Sequence, residues 1–285
     1  MAAPPESAGA RRRPVRGLAA WVSLTVLAAT LLVALCGAWF APHPPAANLG
    51  VPYSTPDATY RLGLDYIGED VFSRILWGGR TVVVLGLLAT ALAYALGGAI
   101  GLLAGYGRGV LDSVLMRGMD VLLAFPPILF LLMLGTGFGN SLSALVIGIA
   151  IVHLPGVARI VRTAAAEVAV RGFVEAAVAR GDHVTAILRR EILPNIWGPI
   201  VADAGPRFTV SILLVAAVNF LGLGIAPPAA DWALMISENR SGLLINPASV
   251  LGPAVMIGVL TVSLNVFADT LARSLGQSTE RQGVP

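Results

Sequence analysis

The 285-residue sequence contains no lysine, only one cysteine and only three histidines, and just 12% of it is charged. The missing lysine excludes a phosphate loop of the G-x-x-x-x-G-K-[ST] type, whose lysine must reach the nucleotide phosphates. ATP hydrolysis is therefore not expected of this chain. The single cysteine, Cys36, excludes an intramolecular disulfide and lies in an apolar run, where an inert buried thiol is expected. His43, His153 and His183 are isolated and lack metal-ligand spacing, so no metal, other cofactor or catalytic residue is expected.

What the chain has in abundance is apolar sequence. With 56% hydrophobic residues and a mean hydropathy of +0.80, it reads as an integral protein of the cell (inner or plasma) membrane, multi-pass, with the bilayer as its main surroundings. The formal charge of +3 comes from arginines in loops and helix ends, which suits membrane orientation and not nucleic acid.

The first apolar run, residues 18–40, follows Arg11, Arg12, Arg13 and Arg16. As a helix it measures about 35 Å, enough to cross the hydrocarbon core and too long for a cleaved signal. Leu35 before Cys36 also fits a lipoprotein cleavage site poorly. Further spans are expected near 81–105, 114–135, 142–161, 205–223 and 250–271, six in all. They divide the chain into a tail at 1–17, an outer segment at 41–79, a transmembrane core at 80–273 and a tail at 274–285. The arginine excess on one set of loops places both termini in the cytoplasm.

The outer segment opens with prolines and then, over 65–77, sets Ile67, Val71, Phe72, Ile75 and Leu76 at helical spacing, predicting a short amphipathic helix on the outer membrane surface. In the second span Gly97, Gly101 and Gly105 form a small-residue stripe suited to close helix packing. In the third, Pro126 and Pro127 must break the hydrogen-bond ladder, which is tolerated only where protein or a water-filled passage covers the break. Pro126, Pro127, His153 and Asn219 are the candidate translocation-path residues. Asp203 and Arg207, four apart, are expected to form a local ion pair, and Asp120 and Asp269 to be simply wet.

The inner loop at 165–195 is the most informative segment. Alanines and valines favour a helix to Arg180, Gly181 ends it, Asp182 can cap a second one carrying Val184, Ile187 and Leu188, and Pro194 redirects the chain. This predicts a helix-turn-helix elbow whose apolar residues need a partner groove.

Glu175-Ala176-Ala177, then Gly181, then Leu193-Pro194, resemble the EAA loop of permease subunits in binding-protein-dependent ABC importers, spacing included. Leu62-Gly63-Leu64-Asp65, Asp70-Val71-Phe72-Ser73-Arg74, Met116-Arg117, Asp120, Ala124-Phe125-Pro126 and Phe220-Leu221-Gly222-Leu223-Gly224 extend the resemblance to the C-type permeases of the dipeptide, oligopeptide and nickel group. Glu191, His183 and Asn219 depart from the common pattern without breaking the spacing.

The resemblance implies an all-α membrane protein of type I ABC importer permease architecture, with six transmembrane helices and both termini inside. It implies a second homologous permease sharing the path, two ABC ATPase subunits or one fused ATPase binding ATP and Mg, and an extracytoplasmic substrate-binding protein delivering peptide or a related small solute. It also assigns ATPase coupling to Glu175, Ala176, Ala177, Gly181, Asp182, His183, Ile187, Leu193 and Pro194. Two other classes compete with this reading. An ion-gradient-driven secondary transporter should show charge relays or an inverted repeat, and neither is present; a membrane scaffold without transport would leave the kinked third span unexplained.

Overall fold

The computed structural model describes residues 14–139 and 141–281, with side chains described from 21 to 271 apart from 140. The tails expected at 1–17 and 274–285 lie partly outside this. Among the described residues the regular elements are helices, joined by one isolated bridge between Leu64 and Asp70. They are α1 (Pro14–Cys36), α2 (Val71–Gly107), α3 (Gly109–Leu123), α4 (Pro127–Phe138), α5 (Leu142–Val168), α6 (Gly172–Ala179), α7 (Val184–Ala186), α8 (Trp197–Phe220), α9 (Trp232–Asn239) and α10 (Ala248–Arg281).

Five stretches are long and apolar enough to cross a membrane individually, within α1, α2, α5, the segment ending in α8, and α10. The sixth exists only if α3 and α4 are taken together, since they are bent by 80° at Ala124-Phe125-Pro126. Proline lacks an N–H and clashes with the preceding turn. The break expected within the span at 114–135 is thus a full corner between two helices.

α2 differs from expectation at its start. The amphipathic segment at 65–77 is not a separate surface helix: Gly63 (φ +72°) and Gly68 (φ +86°) fold 63–70 into a tight knot, and Asp70 caps α2 by accepting from the amides of Phe72 and Ser73. Positive φ suits glycine because it has no Cβ. From Val71 the helix runs unbroken into the membrane.

The glycine stripe has its partner within the chain. A Cβ on Gly97 would lie 3.0 Å from the Leu154 carbonyl, and one on Gly101 would lie 2.5 Å from that of Ala158, so α2 and α5 pack nearly backbone to backbone. Their seam is the bundle's most extensive. The outer half of the core gathers Val82, Leu85, Ile149, Ile212, Val215, Trp232 and Leu260; the inner half gathers Val157, Val161, Ala165, Val168, Ile187 and Ile192. Outside the bundle, the 41–70 segment is tied to the α8–α10 connection by Tyr66 N–H to Asn239 Oδ1 (3.0 Å) and by Asn246 Nδ2 to the Leu62 and Leu64 carbonyls (3.0 Å).

Candidate functional site

The chain leaves the membrane through α5, turns at 169–171, and forms α6, α7 and a wide helical turn (Ile187–Ile192) before entering α8. The first helix of the elbow is therefore interrupted, where the alanine-rich pattern predicted one continuous helix to Arg180. Its end is chemically explicit. Gly181 has φ +80°, the Asp182 amide donates to the Ala177 carbonyl at 3.2 Å, and the Gly181 amide donates to that of Val178 at 2.9 Å. This is a Schellman ending, which satisfies carbonyls the last turn would leave bare. Asp182 does not cap the next helix; His183 holds that position without a side-chain bond, and Asp182 instead pairs with Arg180 at 2.9 Å. Arg180 also approaches Glu191 at 3.7 Å, bracing both arms of the elbow.

The elbow has a core of its own. Val174, Ala177, Ile187, Ile192 and Ile196 are fully buried against Val161, Ala165 and Val168 at the inner end of α5. The expectation that its apolar residues need a foreign groove is narrowed: Ala177 and Ile187 are 0% and 1% exposed and support the elbow from within, whereas Phe173, Val178 and Val184 stay exposed. Glu175, Ala176, Gly181, Asp182, His183 and Pro194 are exposed, and Leu193 is half-buried. Arg171, Arg180, Arg189 and Arg190 surround them with positive charge. The alternation of Glu175-Ala176 outward and Val174, Ala177 inward is a helical signal already present in the sequence.

The candidate path residues do not converge. Pro126 and Pro127 are both exposed on the corner, and Pro127 also lines a small cavity of about 120 Å³ with Leu122, Phe125, Phe130 and Ile151. His153 is buried and its Nε2 lies 2.9 Å from Ser211 Oγ. Asn219 is fully buried and accepts the Ile225 amide at 3.2 Å, holding the turn after α8. Asp120 is paired with Arg159 at 2.5 Å and Asp112 receives a two-pronged bond from Arg162, so two ion pairs invisible in the local sequence fasten α3 to α5. Asp203 pairs with Arg207 as expected, and Tyr94 joins them.

The family described as binding-protein-dependent transport system inner membrane component matches residues 97–281. The glutathione transport system permease protein GsiD of Pectobacterium atrosepticum is 35% identical over 77% of this chain and 73% of that protein. The dipeptide transport system permease protein DppC of Alkalihalophilus pseudofirmus is 36% identical over 77% and 72%. Among solved structures, a chain of the inward-facing MetNI methionine ABC transporter is similar with TM-score 0.57 and 17% identity, over 71% of this chain and 96% of that one. A chain of an amino acid ABC transporter with histidines gives 0.51 and 22%, over 68% and 90%. At those identities the structural likeness speaks to the fold.

Proposed function

Because this chain belongs to the family of binding-protein-dependent transport system inner membrane components, we propose that its elbow is the seat through which separate ATPase subunits drive the spans. The chain is a multi-pass inner-membrane permease subunit of an ATP-driven importer. Glu175, Ala176, Asp182, His183 and Pro194 form the exposed face offered to the ATPase, and Ala177, Gly181, Ile187 and Leu193 hold that face in shape. ATP and Mg are bound by the ATPases; this chain contributes no catalytic group.

The observation that carries the reading is the rigid attachment of the elbow to α5. Force applied to the exposed Glu175-Ala176 face passes through Ala177 and Val174 into Val161, Ala165 and Val168, and from α5 into α2 through the glycine seam. Densely packed helices move as bodies, which is what alternating access requires. The broken α3–α4 span exposes Val110, Val114, Val121, Leu129, Met133 and Phe138. In a spanning segment such a face meets lipid or a neighbouring span, and a second permease is the neighbour this reading assigns to it. The relatives' names favour short peptides as cargo, delivered by an extracytoplasmic binding protein.

Affinity purification of this chain from its native membrane in mild detergent, followed by mass spectrometry and reconstitution, tests the reading. A second permease and an ATPase are expected in comparable amounts, with ATP-dependent uptake of peptides once the binding protein is added. Recovery of this chain alone, under conditions that preserve other membrane complexes, would refute it.

A further inference from the structure

Two polar rungs cross the membrane interior between α2, α5 and α8. In one, Ser211 Oγ lies 2.9 Å from His153 Nε2 and 2.8 Å from Thr90 Oγ1. In the other, Tyr94 donates its hydroxyl to Asp203 Oδ2 at 2.5 Å, and the same oxygen accepts from Arg207 Nε. The second rung is unevenly satisfied. Arg207 has five N–H donors, yet Asp203 is its one anionic partner among the described residues. The guanidinium stands beside the Tyr94 hydroxyl, and the rest of its fork makes no further hydrogen bond among those residues.

The fork is held open by a glycine. It lies against Gly156 of α5, where a Cβ would come within 2.6 and 2.7 Å of Nη1 and Nη2. Arg207 and Asp203 retain 17% and 18% side-chain exposure, so the pair is not sealed. Arg207 borders the exposed stripe of Pro206, Val210 and Leu213 on α8, about 20 Å along the helix from its outer end. A partly exposed guanidinium at that depth is costly against hydrocarbon and must face protein or water.

The geometry points to Arg207 as a transit contact for the carboxylate of the cargo, with Tyr94, Asp203 and Gly156 as its positioning residues. This rests on the peptide-importer reading above. A carboxylate pairs with a guanidinium fork through two N–H groups, and Arg207 has them uncommitted. Asp203 makes the contact transient: it neutralises the arginine between passages and reclaims it afterwards, so that cargo is bound well enough to enter and weakly enough to leave.

The test uses the assembled complex with its binding protein in proteoliposomes and a pool of short peptides, each supplied as free acid and as C-terminal amide. The binding protein's affinity for both forms is measured separately. Wild type is expected to import the free acid in preference, after correction for those affinities, and Arg207→Gln to lower the acid-to-amide ratio about tenfold, the scale of a lost hydrogen bond to a charged group. Arg207→Lys should fall between. Arg207→Gln leaves Asp203 unpaired, so Asp203→Asn combined with Arg207→Gln, which leaves no orphan charge, is run beside it and should lose the same preference. An unchanged ratio in either assembled variant, no acid preference in wild type, or failure of both variants to assemble would overturn the assignment and leave the pair a structural strut. Failure of wild type to import any peptide is a separate result that removes the importer reading first and this inference with it.

Discussion

Trp232 donates its indole N–H to the main-chain carbonyl of Ile75 at 2.8 Å, from a fully buried ring that rests on Gly78 and Gly79. The bond pins α9 to the outer end of α2, and the two glycines make room for the ring. Replacing Trp232 by Phe keeps most of the ring volume and loses the bond, which should cost about 1 kcal/mol. Replacing it by Ala should cost about 3–5 kcal/mol by leaving a cavity. Thermal unfolding of the purified protein in detergent separates the two; equal losses would mean that the hydrogen bond, and not the ring's volume, anchors α9.

The α2–α5 seam gives a matched pair of glycines. A Cβ on Gly101 would meet the Ala158 carbonyl at 2.5 Å and the Val161 Cβ at 2.8 Å, whereas Gly98 has nothing within 4 Å of where its Cβ would stand. Gly101→Val should destabilise by about 1–3 kcal/mol or more, because backbone cannot retreat as a flexible side chain would. Gly98→Ala should be neutral or stabilise by up to about 1 kcal/mol through helix propensity. Melting temperatures that shift equally for both variants would contradict the seam.

These glycines were legible in the sequence because their spacing is a local, periodic signal that says which residues share a helix face. The Pro126-Pro127 break and the Gly181 turn were legible for a similar reason: each rests on the conformational limits of one residue type. What could not be read were relationships set by distant segments. The helical pattern at 65–77 was overridden because Gly63 and Gly68 fold the preceding chain against Asn239 and Asn246. Asp120 is wet as expected, its side chain 58% exposed, but its partner Arg159 could not be read because it lies on another helix. Within the site, spacing identified the elbow, but the side of it that faces α5 emerged only with the tertiary fold, which turned Ala177 and Ile187 inward.

That inward turn separates docking from folding at adjacent residues. Ala176 is exposed and Ala177 is completely buried. Ala176→Arg should leave the detergent-purified chain as stable as wild type while reducing recovery of the ATPase and ATP-driven uptake at least tenfold, the scale of a central interface contact. Ala177→Asp should instead unfold the elbow, because an unpaired carboxylate would replace a methyl group in a closed apolar site; protease cleavage between residues 169 and 196 reports it. Normal ATPase recovery with Ala176→Arg would place the docking face elsewhere.

The outer knot carries a pH dependence whose sign follows from its charges. Arg74 faces three buried carboxylates, pairing with Glu69 at 2.6 Å, with Glu238 at 3.1 Å and with Asp65. Burial pushes the Glu69 carboxyl up to about 7; Arg74 opposes the shift, and Asp65 and Glu238 reinforce it. A carboxyl that holds its proton more tightly folded than unfolded stabilises the fold fully below its ordinary pKa of 4.5, and that contribution is lost as pH rises through about 7. Asp231, pushed up to about 6 chiefly by burial, acts in the same direction. The melting temperature of the purified protein should therefore fall as pH is raised from mildly acidic to mildly alkaline, and Glu69→Gln, which is neutral throughout, should flatten the fall above about pH 6. A slope in Glu69→Gln as steep as in wild type would mean that Glu69 is ionised in the folded protein and that Arg74 outweighs its burial.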